Sequence, residues 1–288
     1  MSGAIQERAP AKLNLYLHVV GRRADGFHEL DSLTVFAGGD EAGDSLRFEP
    51  ADDLVLTVEG PMAGGLTGEA DNLVLRAARA LAQAHGIAPK ARITLTKRLP
   101  IASGIGGGSA DAAAALRGLV RLWTLAPDPR ELAQLALGLG ADVPVCLAGR
   151  AVFMGGIGEI LEPAPALPTA WLLLANPGKP LATPAVFKAR SGPFSAPARF
   201  DRSPADAAQL AQGLALRRND LEEPALRLIP DIAQLKAEIA AQSGCLLARM
   251  SGSGATCFGL FAARSEAEAA ARSLARPGRW LAVAPLVG

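Results

Sequence analysis

The chain carries its clearest structural signal in the segment Leu99-Pro-Ile-Ala-Ser-Gly-Ile-Gly-Gly-Gly-Ser-Ala-Asp-Ala-Ala-Ala-Ala-Leu116. Four glycines precede Ser109, and an alanine-rich pattern typical of a helix follows. Glycine allows positive φ angles and lets the backbone approach another group closely. The first turn of a helix adds unpaired N–H groups and the positive end of the helix dipole. The segment therefore predicts a phosphate-binding loop.

The alternative interpretation of this segment is a plain connector between a strand and a helix. Three consecutive glycines disfavour it, because each one costs conformational entropy on folding and a turn rarely needs so many. Several known phosphate loops are excluded. A Walker A loop has a lysine after its last glycine, the dinucleotide fingerprint has a third glycine where Ser109 stands, and the motifs of protein kinases are missing.

What remains is the pattern P-x-x-x-G-x-G-G-G-S-x-[DN]-A, which resembles the central motif of the GHMP kinases. Further segments resemble the same family: Ala9-Pro-Ala-Lys-Leu-Asn-Leu-Tyr-Leu-His18, Gly21-Arg-Arg-Ala-Asp-Gly-Phe-His-Glu-Leu30, Gly140-Ala-Asp-Val-Pro144, Phe153-Met-Gly-Gly-Ile-Gly-Glu159 and Met250-Ser-Gly-Ser-Gly-Ala-Thr256. The resemblance spans nearly the whole chain. Its two N-terminal segments are similar to those of GHMP kinases that phosphorylate the 2-hydroxyl of a cytidyl-diphosphate-linked methylerythritol in non-mevalonate isoprenoid synthesis.

The resemblance implies an α+β protein with the two-domain GHMP kinase fold. Residues 1–159 would form an N-terminal domain like the second domain of ribosomal protein S5, carrying the glycine-rich ATP loop. Residues 160–288 would form a ferredoxin-like C-terminal domain. The pattern of the second half agrees, because its strand, helices, two strands, helix and strand follow the order of a ferredoxin-like layer.

Hydrophobic periodicity predicts a strand over residues 12–20. Leucines and a valine share one face of this strand, whereas Lys12, Asn14, Tyr16 and His18 share the other. Because successive side chains of a strand alternate, Lys12 and Asn14 are expected to point to the same side. The elements predicted around the loop are a helix over 73–85, a strand over 91–97, a helix after Ser109 to about Trp123, and an exposed Pro/Ser-rich loop over 191–204.

Composition bears on partners and location. With 29 Lys and Arg against 28 Asp and Glu, the net charge is +1, which gives no bulk field for nucleic acid or membrane. The three cysteines form no C-x-x-C pair or metal spacing and suit a reducing cytoplasm. The N-terminal residues carry no signal-peptide core. We therefore expect a cytoplasmic protein without a protein-bound metal. A monomer or weak homodimer is the expected assembly, although composition does not determine it. Two alternatives remain: a GHMP kinase that acts on another alcohol, such as mevalonate or homoserine, and an RNA-binding module, since the S5-like fold also serves RNA.

The resemblance also implies roles for individual residues, with ATP and Mg²⁺ as co-substrate. Asp142 would be the general base, and Lys12 beside it would favour its carboxylate form or stabilise the alkoxide. The predicted ATP-binding residues are Asn72, Lys97, Pro100, Ile101, Ala102, Ser103, Gly104, Ile105, Gly106, Gly107, Gly108, Ser109 and Ala110. The predicted substrate-binding residues are Asn14 near the methylerythritol, Phe27, His28 and Phe187 near the cytosine, and Thr183 near the diphosphate.

Several of these residues also have a plain structural interpretation. Asp142 and Asn72 each stand where a helix cap is expected. Lys12 could be a snorkelling charge at a strand edge, and Lys97 a solvated strand end. Phe187 could be an ordinary core side chain. The sequence also leaves open whether Lys12 itself activates the hydroxyl while Asp142 mainly holds Lys12.

Two positions depart from the family pattern. Phe27 stands where relatives commonly have tyrosine, which keeps ring stacking but removes the phenol oxygen. Ala110 stands where they usually have a second serine, so one hydroxyl near the phosphates is missing. Asp111 is unexpected beside a triphosphate, and it could face away, cap the helix or contact Mg²⁺ through water.

Overall fold

The computed structural model describes residues 4–66 and 72–288. These residues form two compact units. The first unit takes the described parts of Met1–Ala11, Gly43–Ile101 and Gly106–Gly149, and the second takes Lys12–Ala42, Ala102–Ile105 and Arg150–Gly288. Within the described residues, no helix is both long and apolar enough to cross a membrane.

The strands and helices are numbered in chain order. The strands are β1 (Ile5–Pro10), β2 (Lys12–Arg22), β3 (His28–Ala37), β4 (Gly43–Glu49), β5 (Leu54–Glu59), β6 (Ala91–Thr96), β7 (Val152–Gly156), β8 (Ile160–Pro163), β9 (Trp171–Asn176), β10 (Leu247–Met250), β11 (Cys257–Phe261) and β12 (Trp280–Val287). The helices are α1 (Leu73–Ala84), α2 (Gly107–Leu122), α3 (Pro129–Leu139), α4 (Val143–Ala148), α5 (Thr183–Ala189), α6 (Ala207–Ala215), α7 (Glu222–Leu228), α8 (Asp231–Ala240) and α9 (Arg264–Leu274).

The first unit packs helices on a four-stranded sheet of order β1-β4-β6-β5. β5 runs parallel to β6, and the other neighbours are antiparallel. Helix α2 lies against β1 and β4 through a stripe of buried alanines, because small side chains allow close approach. At Gly118 a Cβ would clash with the ring of Phe48, so glycine allows the helix and this ring to pack closely. The packing fixes the first turn of α2, where the glycine-rich loop ends.

The second unit contains a sheet of order β10-β11-β9-β12-β3-β7-β8, with β2 paired to the other side of β3. All neighbouring strands in it are antiparallel. Helices α5 and α7–α9 contribute to a core over this sheet that contains Val186, Ala225, Ile239 and Ala270. The sheet carries both the strand with Lys12 and the turn that follows β10.

Strand β2 is buried on both faces rather than on the apolar face alone. Tyr16 from its polar face donates its hydroxyl hydrogen to Asp31 of β3 at 3.0 Å, and burial raises the pKa of Tyr16. The irregular segment 190–200 packs against this face, since Ala198 N donates to Asp31 Oδ2 at 2.8 Å. It is also bonded to the backbone of β2, where Ser195 N donates to Val19 O at 2.9 Å. The Pro/Ser-rich stretch was correctly predicted as a loop with many exposed residues, but it is anchored to β2 by such bonds.

The predicted helix after Ser109 begins earlier, at Gly107, because Gly106 adopts a left-handed conformation and takes the N-cap position. The division expected between residues 159 and 160 falls inside the β7–β8 hairpin of the second unit. The compact units interleave along the chain and therefore do not follow a single cut. The two-domain boundary stays a prediction.

Candidate active site

The glycine-rich loop ends in a helix start suited to an anion. Gly104 and Gly106 have φ angles of 74° and 65°, which L side chains rarely adopt. Ala110 N donates to Gly106 O at 2.8 Å as the helical bonding of α2 begins. The N–H groups of Gly107, Gly108 and Ser109 belong to the turn before that bond, where a helix binds phosphate. Ala110 itself is buried, so its methyl group packs inside the protein.

Residues 102–105 of the loop interlock with the turn 251–254 in the second unit. Ser251 Oγ donates to Gly104 O at 3.2 Å, and Thr256 N donates to Ser103 O at 3.1 Å. A Cβ on Gly104 would lie 2.6 Å from backbone atoms of Gly254. The two glycine motifs, which are far apart in sequence, are thus in direct contact and leave no space for a side chain at Gly104.

Lys12 and Asn14 lie side by side at the start of β2, as the strand alternation predicted. Lys12 Nζ donates to Asn14 Oδ1 at 3.1 Å, and Asn14 Nδ2 donates to Ser32 Oγ at 2.8 Å. Lys12 is 3 % exposed, so its interpretation as a snorkelling edge charge is wrong. Because its N–H donates to Ile105 O at 2.9 Å, the backbone of Lys12 is bonded directly to the loop.

The turn before β3 presents an exposed aromatic ring. Phe27 is 58 % exposed, and its carbonyl accepts a hydrogen bond of 2.7 Å from Arg23 N. Arg23 is held by an ion pair with Glu159, at 2.5 Å between Nη2 and Oε1. The structure therefore ties the turn to the Gly-Gly-Ile-Gly-Glu segment through two side chains that the sequence did not single out.

His28 stacks on Phe187 from α5, with ring centroids 5.1 Å apart and planes inclined by 24°. Partial burial lowers the pKa of His28, and the positive charges of Arg22 and Arg190 lower it further, so the neutral ring is favoured. Phe187 is half-buried and also packs against the core of the second unit, so its structural interpretation is correct in part. The Thr183 hydroxyl lies 2.7 Å from Ser253 Oγ, which places Thr183 at the 251–254 turn.

In the first unit, Asn72 caps helix α1, since its Oδ1 accepts from Val74 N at 2.9 Å. The cap interpretation of Asn72 is thus confirmed, which leaves its ATP role a prediction. Lys97 is 2 % exposed and donates to Asp44 at 2.5 Å and Asp111 at 2.6 Å, so its interpretation as a solvated strand end is wrong. Asp111 turns inward to this lysine. Sequence reasoning missed Asp44, because nothing local marks it.

Asp142 stands at the N-cap position of α4, but its side chain makes no capping bond there among the described residues. The cap interpretation is therefore correct for the position of Asp142 before α4, but it does not explain why this residue has a carboxylate. Asp142 lies in the first unit and Lys12 in the second. Their cooperation stays a prediction from the family resemblance.

Comparison with known proteins finds relatives that match nearly the whole chain. The family models "GHMP kinases N terminal domain" and "GHMP kinases C terminal" match residues 72–150 and 201–279. A 4-diphosphocytidyl-2-C-methyl-D-erythritol kinase from Paramagnetospirillum magneticum is 58 % identical over 281 residues, 97 % of each chain. The chain belongs to the GHMP kinases. Within them it belongs to the family of 4-diphosphocytidyl-2-C-methyl-D-erythritol kinases, and it has the two-domain α+β GHMP kinase fold.

Two further relatives of this family support the assignment. The kinase of the same description from Rhodospirillum rubrum is 56 % identical over 98 % of this chain and 92 % of its own. A crystal structure of a 4-(cytidine 5'-diphospho)-2C-methyl-D-erythritol kinase has a TM-score of 0.81 and 36 % identity, covering 99 % of this chain and 100 % of that one. As a GHMP kinase, the chain uses ATP as co-substrate.

Proposed function

We propose that the chain transfers the γ-phosphate of ATP to the 2-hydroxyl of 4-diphosphocytidyl-2-C-methyl-D-erythritol, in the non-mevalonate isoprenoid pathway. The observation that carries the proposal is the 58 % identity over 97 % of both chains with a kinase named for this substrate. The exposed ring of Phe27, which precedes the stacked His28 in the chain, adds support. A cytosine can stack on the aromatic face of Phe27 and accept a hydrogen bond from the imidazole N–H of His28.

The glycine-rich loop is proposed to bind the triphosphate of ATP. Backbone N–H groups at the start of α2 carry the positive end of the helix dipole, so they bind phosphate oxygens without a side chain. This makes the loss of a second serine at Ala110 tolerable. Asn72 and Lys97 are proposed to contribute to the nucleoside end of the ATP site. Asn72 would do so by capping α1, and Lys97 by its buried ion pair with Asp44 behind the loop.

Catalysis needs a proton acceptor and a way to offset the charge that develops. We propose Asp142 as the base: it takes the proton of the 2-hydroxyl while that oxygen bonds to the γ-phosphorus and the bond from phosphorus to the β,γ-bridging oxygen breaks, releasing ADP. Lys12 is proposed to stabilise the attacking oxygen. Its ammonium is held by Asn14 Oδ1, so Asn14 orients Lys12 in addition to its predicted contact with the methylerythritol.

Mg²⁺ is proposed to enter bound to ATP. Among the described residues, no group of three or more His, Cys, Asp and Glu side chains is arranged to hold a metal ion. Kinases commonly bind Mg²⁺ through one or two carboxylates together with the phosphates of the nucleotide. An Mg²⁺ ion that enters with ATP, and no metal bound by the protein alone, stay predictions.

The finer fold assignment is also a proposal. In the second unit, β9, β10, β11 and β12 follow the helix and strand order of a ferredoxin-like layer and lie in the spatial order β10-β11-β9-β12. This supports a ferredoxin-like domain within residues 160–288. An S5-like domain within 1–159, a cytoplasmic location, and a monomer or weak homodimer without nucleic acid stay predictions.

An acceptor panel tests the proposed function. The purified chain is given MgATP with the cytidyl substrate, mevalonate or homoserine, and ADP release is followed with a coupled assay. We expect turnover with the cytidyl compound and at least a hundredfold lower kcat/KM for the other alcohols. Turnover of mevalonate or homoserine without the cytidyl compound would assign a different acceptor. Salt-dependent RNA binding without any kinase activity would favour an RNA-binding module instead.

A further inference from the structure

Asp44, near the start of β4, is a buried acid with no part in the chemistry described above. It is 2 % exposed, and its carboxylate accepts hydrogen bonds from three consecutive residues. Lys97 Nζ donates to Oδ2 at 2.5 Å, whereas Arg98 N and Leu99 N donate to Oδ1 at 2.6 Å and 2.9 Å. Residues 97–99 lead directly into the glycine-rich loop at Pro100. One carboxylate therefore holds the whole entry to the loop.

The exit of the loop is joined to the same cluster. Lys97 Nζ also donates to Asp111 Oδ2 at 2.6 Å, and Asp111 lies in α2 soon after the glycines. The ammonium would lie 3.2 Å from a Cβ built on Gly107, so it sits directly behind the first turn of the helix. Asp44, Lys97 and Asp111 thus connect both ends of the loop within the first unit.

Charge explains why this arrangement holds a fixed geometry. Burying an ion is costly unless it is paired and hydrogen-bonded, so each member depends on the others staying in place. Two carboxylates share one ammonium. Burial and the nearby Asp44 raise the pKa of Asp111 to about 7 against the opposing effect of Lys97, so a proton on Asp111 offsets the surplus negative charge near neutral pH. Asp111 Oδ1 is buried without a hydrogen-bond partner among the described residues.

We propose that Asp44 is a positioning residue for ATP, which holds the glycine-rich loop in its phosphate-binding form through Lys97 and the N–H groups of Arg98 and Leu99. Asp44 does not touch the nucleotide in this account. Its hydrogen bonds go to the residues that precede the loop, so its loss changes the path of the backbone where phosphate binds. The inference rests on the proposed role of the loop in ATP binding.

Two substitutions separate positioning from general stability. Asp44→Asn keeps one acceptor oxygen but turns an amide towards Lys97 or the backbone N–H groups, and Asp44→Ala removes every acceptor. The matched control is Glu7→Gln, since Glu7 is another largely buried acid of the first unit. It pairs with Arg117 at 3.1 Å and Arg121 at 2.7 Å in the later turns of α2. Thermal unfolding identifies the variants that fold.

Two readouts are measured: binding of a non-hydrolysable ATP analogue by calorimetry, and the KM values for ATP and for the cytidyl substrate. Because buried donors are left without their acceptor, we expect the analogue Kd and the ATP KM to rise about 10-fold for Asp44→Asn and about 100-fold for Asp44→Ala. The KM for the cytidyl substrate is expected to stay within about 3-fold. Glu7→Gln is expected to leave all three values within about 3-fold while lowering the midpoint of unfolding.

The proposal is overturned if a folded Asp44 variant binds the analogue normally, or if ATP and cytidyl substrate weaken equally. If Asp44→Ala does not fold, Asp44→Asn decides. A wild-type chain that binds the analogue without phosphorylating the cytidyl substrate refutes the proposed function but leaves the Asp44 comparison valid. A wild-type chain that binds no analogue overturns both.

Discussion

Replacing Gly104 with alanine tests the interlock between the loop and the 251–254 turn. The added Cβ would lie 2.6 Å from Gly254 N and O and 2.7 Å from Ser251 O, and these are backbone atoms that cannot rotate away. Gly278 is the matched control, because it lies in the same unit with a φ of 77° against 74°, and nothing lies within 4 Å of its Cβ position. Both substitutions impose the same backbone strain, but only Gly104→Ala adds a steric clash.

The left-handed conformation costs an alanine about 1–2 kcal/mol, which is the whole loss expected for Gly278→Ala. Overpacking adds about 1–3 kcal/mol, so Gly104→Ala is expected to lose about 2–5 kcal/mol. Urea unfolding at equilibrium measures both losses, and the ATP KM reports whether the loop has moved. Equal losses for the two variants, together with an unchanged ATP KM in Gly104→Ala, would refute the interlock.

Three further substitutions have defined outcomes. Asp142→Asn is expected to lower kcat by about 10²–10⁴-fold. The helix-cap variant Asp128→Asn is the control. Near-normal turnover by a folded Asp142→Asn variant would show that Asp142 is not the base. Phe27→Ala is expected to raise the KM for the cytidyl substrate about 5- to 100-fold and to leave the KM for ATP unchanged. The control Phe194→Ala is expected to change neither KM. An equal rise of both KM values in Phe27→Ala would indicate a folding role. Asp111→Asn removes a carboxyl whose pKa is raised from 3.8 to about 7. The ionised form of such a group lowers the free energy of unfolding more and more as the pH rises through this interval. Between pH 5 and 8, the free energy of unfolding of Asp111→Asn should therefore increase by up to about 3 kcal/mol relative to that of the wild type. A difference that does not change with pH would contradict the raised pKa.

The sequence was sufficient for features that depend on local pattern. The glycine-rich loop before a helix follows from turn chemistry, and the side-by-side placement of Lys12 and Asn14 follows from strand alternation. Capping preference offered the cap at Asn72 as an alternative interpretation, which the structure confirms. These features need no knowledge of distant residues. The order of strands and helices from β9 to β12 was predictable for the same reason, apart from the short helix α5. Strands β7 and β8 were not predicted.

Features built from distant residues could not be predicted in this way. Asp44 lies 53 positions from Lys97 in sequence, and only the pairing of β4 with β6 brings the two side chains together. Without that pairing, Lys97 looks like a strand end in solvent. The early start of α2 was missed because the glycine pattern suggested a loop up to Ser109, whereas the left-handed Gly106 already permits a helix at Gly107.

Phosphorus NMR of the complete reaction tests the proposed function most directly. The wild-type chain is incubated with MgATP and 4-diphosphocytidyl-2-C-methyl-D-erythritol, and the ³¹P spectrum is followed with time. We expect ADP to appear in step with one new phosphomonoester signal, while the diphosphate signals of the cytidyl compound persist. Release of inorganic phosphate alone, or an unchanged spectrum from folded protein, would contradict it.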